Sequence, residues 1–545
     1  MPSDFSYEEP STAHLLIFST YLWLLNMARW FVQRITGAGL LGEIAIGMIF
    51  GSPLAQWLDV DWQSTMVIVG YIGLLAIVLE GGITTSLPLL IPLIPISMAI
   101  AFTGVAGTLA LSFLCVPAFG YSPLSAFASG AAMSSTSLGT TLAVLAGTKG
   151  IGFDLRQTKV GVALVGAAVA DDVVAFVFSE IMKILGQSEG GVGPQIGRIV
   201  GVTIGLGAVA IPLTIWVLKP LLTSQRGKKL LFQSGRLGSM GVILLVAIGM
   251  VAAAGYAGTS PLYGIYVGGL MLSYVSEPDE NTAETISNSD IPLTRVSTNP
   301  TPDTGPGSQA PKPIPMAYTL SRQSLDLSRA HTHPGTVGYH FAYLPSPARA
   351  RRPAPAGSDD RPNPLDFAST YNAFLFPLVE YILLPIFFGS IGYSIPFLRL
   401  WRGSIIWKGI VYSIWMVLGK LMCGLWLFWP SKSKGGKISE AQGLPVTEKE
   451  GKGEWTWKDR VPAVLFLGFA MVARGEIGLL ISQIGRHTPT PLLDEDAFLI
   501  AIWAIVVNTI IGPVAVSSIL KKWRIVHTSH RPIIKLKTPI FALIC

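Results

Sequence analysis

Between Glu80 and Lys149 the chain carries no Asp, Glu, Lys, Arg or His over 68 consecutive positions. A helix needs ~20 mostly apolar residues to cross a bilayer, so this stretch alone has the length for about three crossings. Backbone groups in hydrocarbon must be bonded internally, which leaves helices or a closed barrel. The runs here are continuously apolar and lack the alternation of barrel strands. An all-α polytopic membrane protein is predicted. Composition agrees: 50% of the 545 residues are hydrophobic and 13% charged, where soluble proteins carry about 25% charged residues. The mean hydropathy is +0.53. A soluble enzyme, a nucleic-acid module and a disordered chain are excluded. The net charge of +7 reads as basic residues in cytoplasmic loops rather than as affinity for nucleic acid.

Spans are expected near 14–33, 38–57, 64–83, 92–115, 123–147, 160–185, 197–220, 237–255, 259–275, 370–394, 404–429, 460–483 and 496–519, thirteen in all. An odd count puts the termini on opposite sides. Arg34, Lys149, Arg156, Lys159, Arg226, Lys228, Lys229 and Arg236 fall in loops on one side, with the Lys-rich 432–458 loop and Lys521, Lys522 and Arg524. Asp4, Glu8, Glu9, Asp59, Asp61 and Glu189 mark the other, and Arg399, Arg402 and Lys408 are exceptions. The N-terminus is expected outside and the C-terminus in the cytoplasm. The acidic N-terminus gives no signal-peptide pattern. Plasma and organelle membranes fit equally.

Four parts follow: a first transmembrane part over 1–275, an insert over 276–363, a second transmembrane part over 364–520 and a short basic cytoplasmic tail over 521–545. The insert is rich in Pro, Ser, Thr and Arg and lacks apolar periodicity, so disorder on the cytoplasmic side is expected. Its His331, His333 and His340 read as incidental, because metal ligands need a fixed geometry. "GLGAVA" at 205–210 has the form of a dinucleotide fingerprint but lies inside a span with no strand before it, so it reads as packing.

Ionisable residues inside spans are costly and are functional candidates by default. Asp171 and Asp172 lie mid-span, as do Lys420, Arg474, Glu476 and Glu380; Glu43, Glu80 and Glu180 lie nearer span ends. Neighbouring helix positions point about 100° apart, so the two aspartates meet different surroundings and cannot share one proton face to face. A carboxylate poised between a proton and a small cation is what exchange requires. Lys420 needs a counter-charge, for which Asp171 and Asp172 are both candidates. Two polar, Gly-containing stretches interrupt the apolar pattern, "SGAAMSSTSLGTT" at 129–141 and "GFAMVARGEIG" at 468–478. Interrupted spans in corresponding halves of a transporter point to a midplane site. The order is broken helix then acid pair, and later base then broken helix, as an inverted repeat could give. The Asp pair sits on one helix, which argues against intramembrane aspartyl proteolysis.

These residues resemble the cation/proton antiporter superfamily, specifically the paired-Asp, electrogenic-type branch of its sodium/proton exchangers. The resemblance rests on "GLLGEIAIGMIFG" (39–51), "LLAIVLEGGITTS", "GAAMSSTSLGTTLAVL", "GAAVADDVV", "LPIFFGSIGYSI", "LGKLMCG" and "MVARGEIGLLI". It implies a 13-helix fold with two broken crossing helices, a dimerisation domain, a six-helix core and a homodimer. It implies that Asp172 alternately binds a proton and a cation, Na+ first, with Li+ or K+ open. It implies that Asp171 pairs with Lys420, that Ser135, Thr136 and Ser137 line the site, and that Arg474 and Glu476 stabilise or gate the second break. Transport would follow an elevator-like shift. No cofactor is implied beyond the transported ions. The chain departs from the pattern at "TGAG", where a Pro is usual, and in its hydroxyl-rich Ser-Ser-Thr-Ser. It ends about 26 residues beyond the last span, so no nucleotide-binding domain is expected after it. A K+/H+ exchanger, a cation channel and a non-transporting sensor are the competing readings.

Overall fold

The computed structural model describes residues 9, 11–137, 159–187, 192–277, 365–428 and 457–528. Contacts gather Met1–Ser276 and Tyr339–Cys545 into one unit and Glu277–Gly338 into another. The insert lies outside the described residues except Ser276 and Glu277, as does most of the 432–458 loop. The description below concerns the first unit.

Among the described residues the regular structure is entirely helical. The principal helices are α1 (Thr12–Thr36), α2 (Leu40–Phe50), α3 (Val60–Thr84), α4 (Ile94–Ser112), α5 (Pro123–Ala132), α6 (Lys159–Leu185), α7 (Val192–Pro212), α8 (Gln225–Ala257) and α9 (Pro261–Ser276). After the insert come α10 (Phe367–Phe374), α11 (Phe376–Gly392), α12 (Gly403–Leu421), α13 (Trp457–Ala470), α14 (Glu476–His487) and α15 (Glu495–Thr528). Among the described residues eight helices are long and apolar enough to cross a membrane, or nine if α10 and α11, bent by 45°, form one span. The other expected crossings are short or interrupted. α2 has 11 residues, which at 1.5 Å per residue covers about half of a hydrocarbon core.

Local sequence explains the boundaries. Ser11 caps α1 by accepting from the His14 N–H at 3.2 Å, and Gly37 ends it in the left-handed region at φ 78. Ser122 caps α5, with Pro123 in its first turn. The bend before α11 precedes Pro377, which lacks an N–H, and the π turn Val379–Leu383 carries Glu380. The last helix runs past the expected span to Thr528. One expected loop is helical: Arg226, Lys228 and Lys229 lie in the first part of α8, which turns at Gly235 (φ 57, ψ −142) before entering the expected span. Glycine alone adopts that backbone without strain.

The helices pack in two groups. α1, α2, α3, α8, α9, α10 and α11 pack among themselves, with α3 on α9 and α2 on α11. α4, α5, α6, α12, α13, α14 and α15 do the same, with α4 on α6 and α12 on α15. α7 touches both, through α6 and α9. Between helices in lipid there is little hydrophobic drive, so close backbone approach at small residues carries the packing. A Cβ on Gly82 would lie 2.8 Å from the Cα of Gly269, and one on Gly47 2.9 Å from the Cα of Gly389.

Candidate functional site

Both polar interruptions break their helices, and the breaks meet. α5 ends at Ala132, and residues 134–137 continue without regular structure. α13 ends at Ala470, and a turn leads through Ala473–Gly475 to α14. The last four residues of the first stretch, 138–141, lie outside the described residues. A broken helix leaves end groups unsatisfied, and in lipid they must find partners in the protein. Here each break serves the other. The Ser137 N–H donates to the Ala473 carbonyl at 2.9 Å. The Arg474 Nη1 donates to the Ser135 carbonyl at 2.7 Å. The Thr509 hydroxyl of α15 donates to the Arg474 carbonyl at 2.9 Å. Arg474 is fully buried; its Nη1 also lies 3.4 Å from the Met471 carbonyl, while its Nε and Nη2 have no hydrogen-bond partner among the described residues.

The acid pair of α6 lies beside these breaks. Lys420, near the end of α12, donates to the Oδ2 of Asp171, and both side chains are 0% exposed. The Thr136 hydroxyl donates to the same oxygen at 2.8 Å and lies 3.2 Å from the Met471 carbonyl. Asp172, at 9% exposure, is tied to no cation among the described residues, and its Oδ1 is buried without a hydrogen-bond partner. Glu476, the first residue of α14, is partly exposed. Its carboxylate is close enough to act electrostatically on Asp172 and is reached by the Ser137 hydroxyl. It also sits at a helix N-terminus, where negative charge is favoured.

The structure thus brings the expected residues together: Thr136 donates to Asp171, the Ser135 carbonyl and the Ser137 N–H take part in the crossing of the breaks, and the Ser137 hydroxyl reaches Glu476. Counted formally, three carboxylates (Asp171, Asp172, Glu476) face two cations (Lys420, Arg474). The set carries one net negative charge, and an unbalanced charge in a membrane interior is costly.

Two contributors were not singled out from sequence. A Cβ on Gly104 of α4 would stand 3.0 Å from the Lys420 Nζ and 2.9 Å from the Cys423 Sγ, so the missing side chain makes room for the lysine. Asn508 is 0% exposed, and both its amide atoms lack partners among the described residues. The signal was an amide in the apolar run "AIWAIVVNTII", which a search for ionisable groups passes over.

A second buried charge cluster lies in the other group of helices. Arg29 of α1 pairs with Glu380 through Nη2 at 2.7 Å, donates from Nη1 to the Glu380 carbonyl at 2.7 Å, and has Glu43 of α2 at 3.6 Å. Glu43 and Glu380 are 1% and 7% exposed. Arg29 too was missed, being in a span otherwise read as plain.

Comparison with known proteins adds the following. The sequence profile of the family described as "Sodium/hydrogen exchanger, transmembrane" matches residues 22–291 and 364–522. No curated protein sequence matches the chain. Among solved structures, the fold is similar to that of the sodium proton antiporter MjNhaP1 from Methanocaldococcus jannaschii at pH 8, with a TM-score of 0.51 and 14% identity. That match covers 94% of this chain and 99% of the other.

Proposed function

Since this chain belongs to the sodium/hydrogen exchanger family, and is therefore a multi-pass membrane transporter that exchanges cations for protons rather than an enzyme, we propose that Asp172 is the carboxylate for which proton and cation compete. The supporting observation is the asymmetry of the acid pair. Each aspartate has a buried Oδ1 with no hydrogen-bond partner, but Asp171 is held through its Oδ2 by Lys420 and Thr136, whereas Asp172 pairs with no cation among the described residues. A dehydrated cation needs such a carboxylate, and so does a proton in transit. Sodium is put first because the structural neighbour is described as a sodium proton antiporter; the hydroxyl-rich first break keeps lithium and potassium as candidates.

In this reading the core group of helices moves by alternating access only when the site is neutralised. A proton neutralises it on the acidic side, and a cation on the cation-rich side. An empty charged site would be too costly to carry through the apolar barrier. Competition for one carboxylate then couples the two flows. If Lys420 gives up its proton when Asp171 turns to the cation, two protons move per cation and exchange is electrogenic. If the pair stays closed, exchange is electroneutral. A homodimer of thirteen-span protomers, with the N-terminus outside and the C-terminus in the cytoplasm, is part of the same proposal.

The test is proton flux in proteoliposomes with a pH-sensitive dye. An imposed pH gradient should collapse on addition of sodium, lithium or potassium, and the responding ion names the substrate. Asp172→Asn should remove the response in folded protein. Full exchange by that variant would sink the assignment. Cation flux with no proton movement would move the reading to a channel.

A further inference from the structure

We propose that the cleft between α6, α7 and α9 is a binding site for an anionic phospholipid, with one acyl chain inside and the headgroup at Lys219 and the basic first part of α8. The cleft is a cavity of about 540 Å³ lined by Val173 of α6, Ile211 of α7, Ile215 just beyond α7, and Tyr266, Met271 and Tyr274 of α9. That volume lies in the range of about 300–1,000 Å³ typical of small-molecule sites. Of its hydroxyls, those of Thr214 and Ser97 are already engaged, while the buried Tyr266 hydroxyl has no hydrogen-bond partner among the described residues. Thr214 donates to the Ala210 carbonyl at 2.6 Å and Ser97 to the Ala163 carbonyl at 3.3 Å. Apolar cavities of this kind do not hold water well.

The surroundings name the occupant. Ile211 and Ile215 are 63% and 42% exposed, so the mouth opens where a membrane-spanning chain meets hydrocarbon. Acyl chains are the abundant apolar species there. Tyr274, in the lining, also carries the Lys219 Nζ 4.9 Å from its ring centroid. Arg226, Lys228 and Lys229 follow on the first part of α8, all exposed, with Leu230 and Phe232 exposed beside them. Gly235 turns this stretch away from the rest of α8. A basic helix with exposed apolar side chains lies in the interface and attracts anionic headgroups. An acyl cleft and a basic interfacial stretch, joined at Tyr274 and Lys219, fit the two ends of one lipid. The chain would rest against the helix that carries Asp171 and Asp172.

The test uses the full chain in nanodiscs with a trace of phosphatidylserine bearing a photoactivatable acyl chain, beside phosphatidylcholine with the same chain. Phosphatidylserine should label the α6 and α9 peptides containing Val173 and Met271 more strongly than phosphatidylcholine does. Ile211→Trp, which narrows the mouth, should cut that labelling several-fold and leave α1 labelling unchanged; Ile215→Trp is the second variant should the first fold poorly. Lys219→Gln with Lys228→Gln and Lys229→Gln should equalise the two lipids. Uniform labelling of all lipid-facing helices, or labelling untouched by both Trp variants, would overturn the site. A preference for phosphatidylserine that survives the charge variant would overturn the headgroup assignment. Labelling does not depend on transport: Asp172→Asn protein should label like the unaltered chain, so failure of the exchange reading and failure of this one are separable.

Discussion

The two buried charge clusters use similar residues to different ends. Around Arg29, one guanidinium reaches two carboxylates and a carbonyl, so the acids each face the same cation. Around Asp171, one carboxylate oxygen takes both Lys420 and Thr136, and the neighbouring Asp172 is left out. The first arrangement fixes helices to each other. The second fixes one acid and thereby keeps its neighbour available. Burial alone does not separate them, since Glu43, Glu380, Asp171 and Asp172 are all at or below 9% exposure; the distribution of partners does.

The comparison breaks most sharply at Asp172. Asp172→Asn should abolish cation-dependent proton flux while detergent-solubilised protein keeps its melting temperature, whereas Glu380→Gln should retain flux. Loss of flux in both would erase the distinction. Next in size is removal of a cation. Lys420→Ala and Arg29→Ala should each lower stability by ~3–5 kcal/mol, because each leaves a buried carboxylate unpaired. Replacing both partners, Asp171→Asn with Lys420→Met, should recover much of that loss in a thermal melt. Only the Lys420 variant should also change the voltage dependence of exchange.

Smaller effects sharpen the picture. Thr136→Val removes a hydrogen bond to a charged oxygen and should cost about 1.5–3 kcal/mol, slowing exchange without abolishing it. Gly104→Ala places a methyl group against the Lys420 Nζ and the Cys423 Sγ. Overpacking of this kind costs about 1–3 kcal/mol, and Cys423→Ala in the same chain should relieve part of it. A Gly104→Ala protein with unchanged melting and unchanged flux would show that the lysine has room to spare.

Much of this was legible in the chain itself. The span expected at 160–185 is α6, that at 259–275 is α9, and both polar stretches break their helices. These features are local: apolar run length and interruption are properties of neighbouring residues. What escaped depends on distant partners or on a choice that charge does not dictate. Arg29 is noticed only once Glu380, 351 positions away, is known to face it. Gly104 resembles any packing glycine until Lys420 is placed against it. Arg226, Lys228 and Lys229 mark a boundary of the hydrocarbon, but charge at a boundary does not distinguish a loop from a helix lying along it.

The glycine contacts have a mechanical consequence. Where Gly82 meets Gly269 and Gly47 meets Gly389, backbones touch and leave nothing to compress. Between α6, α7 and α9 the chain has instead a void of about 540 Å³. Close-packed protein has low compressibility. The molecule is therefore stiff where α3 meets α9 and α2 meets α11, and compliant along the cleft where α6, α7 and α9 leave space open to the membrane.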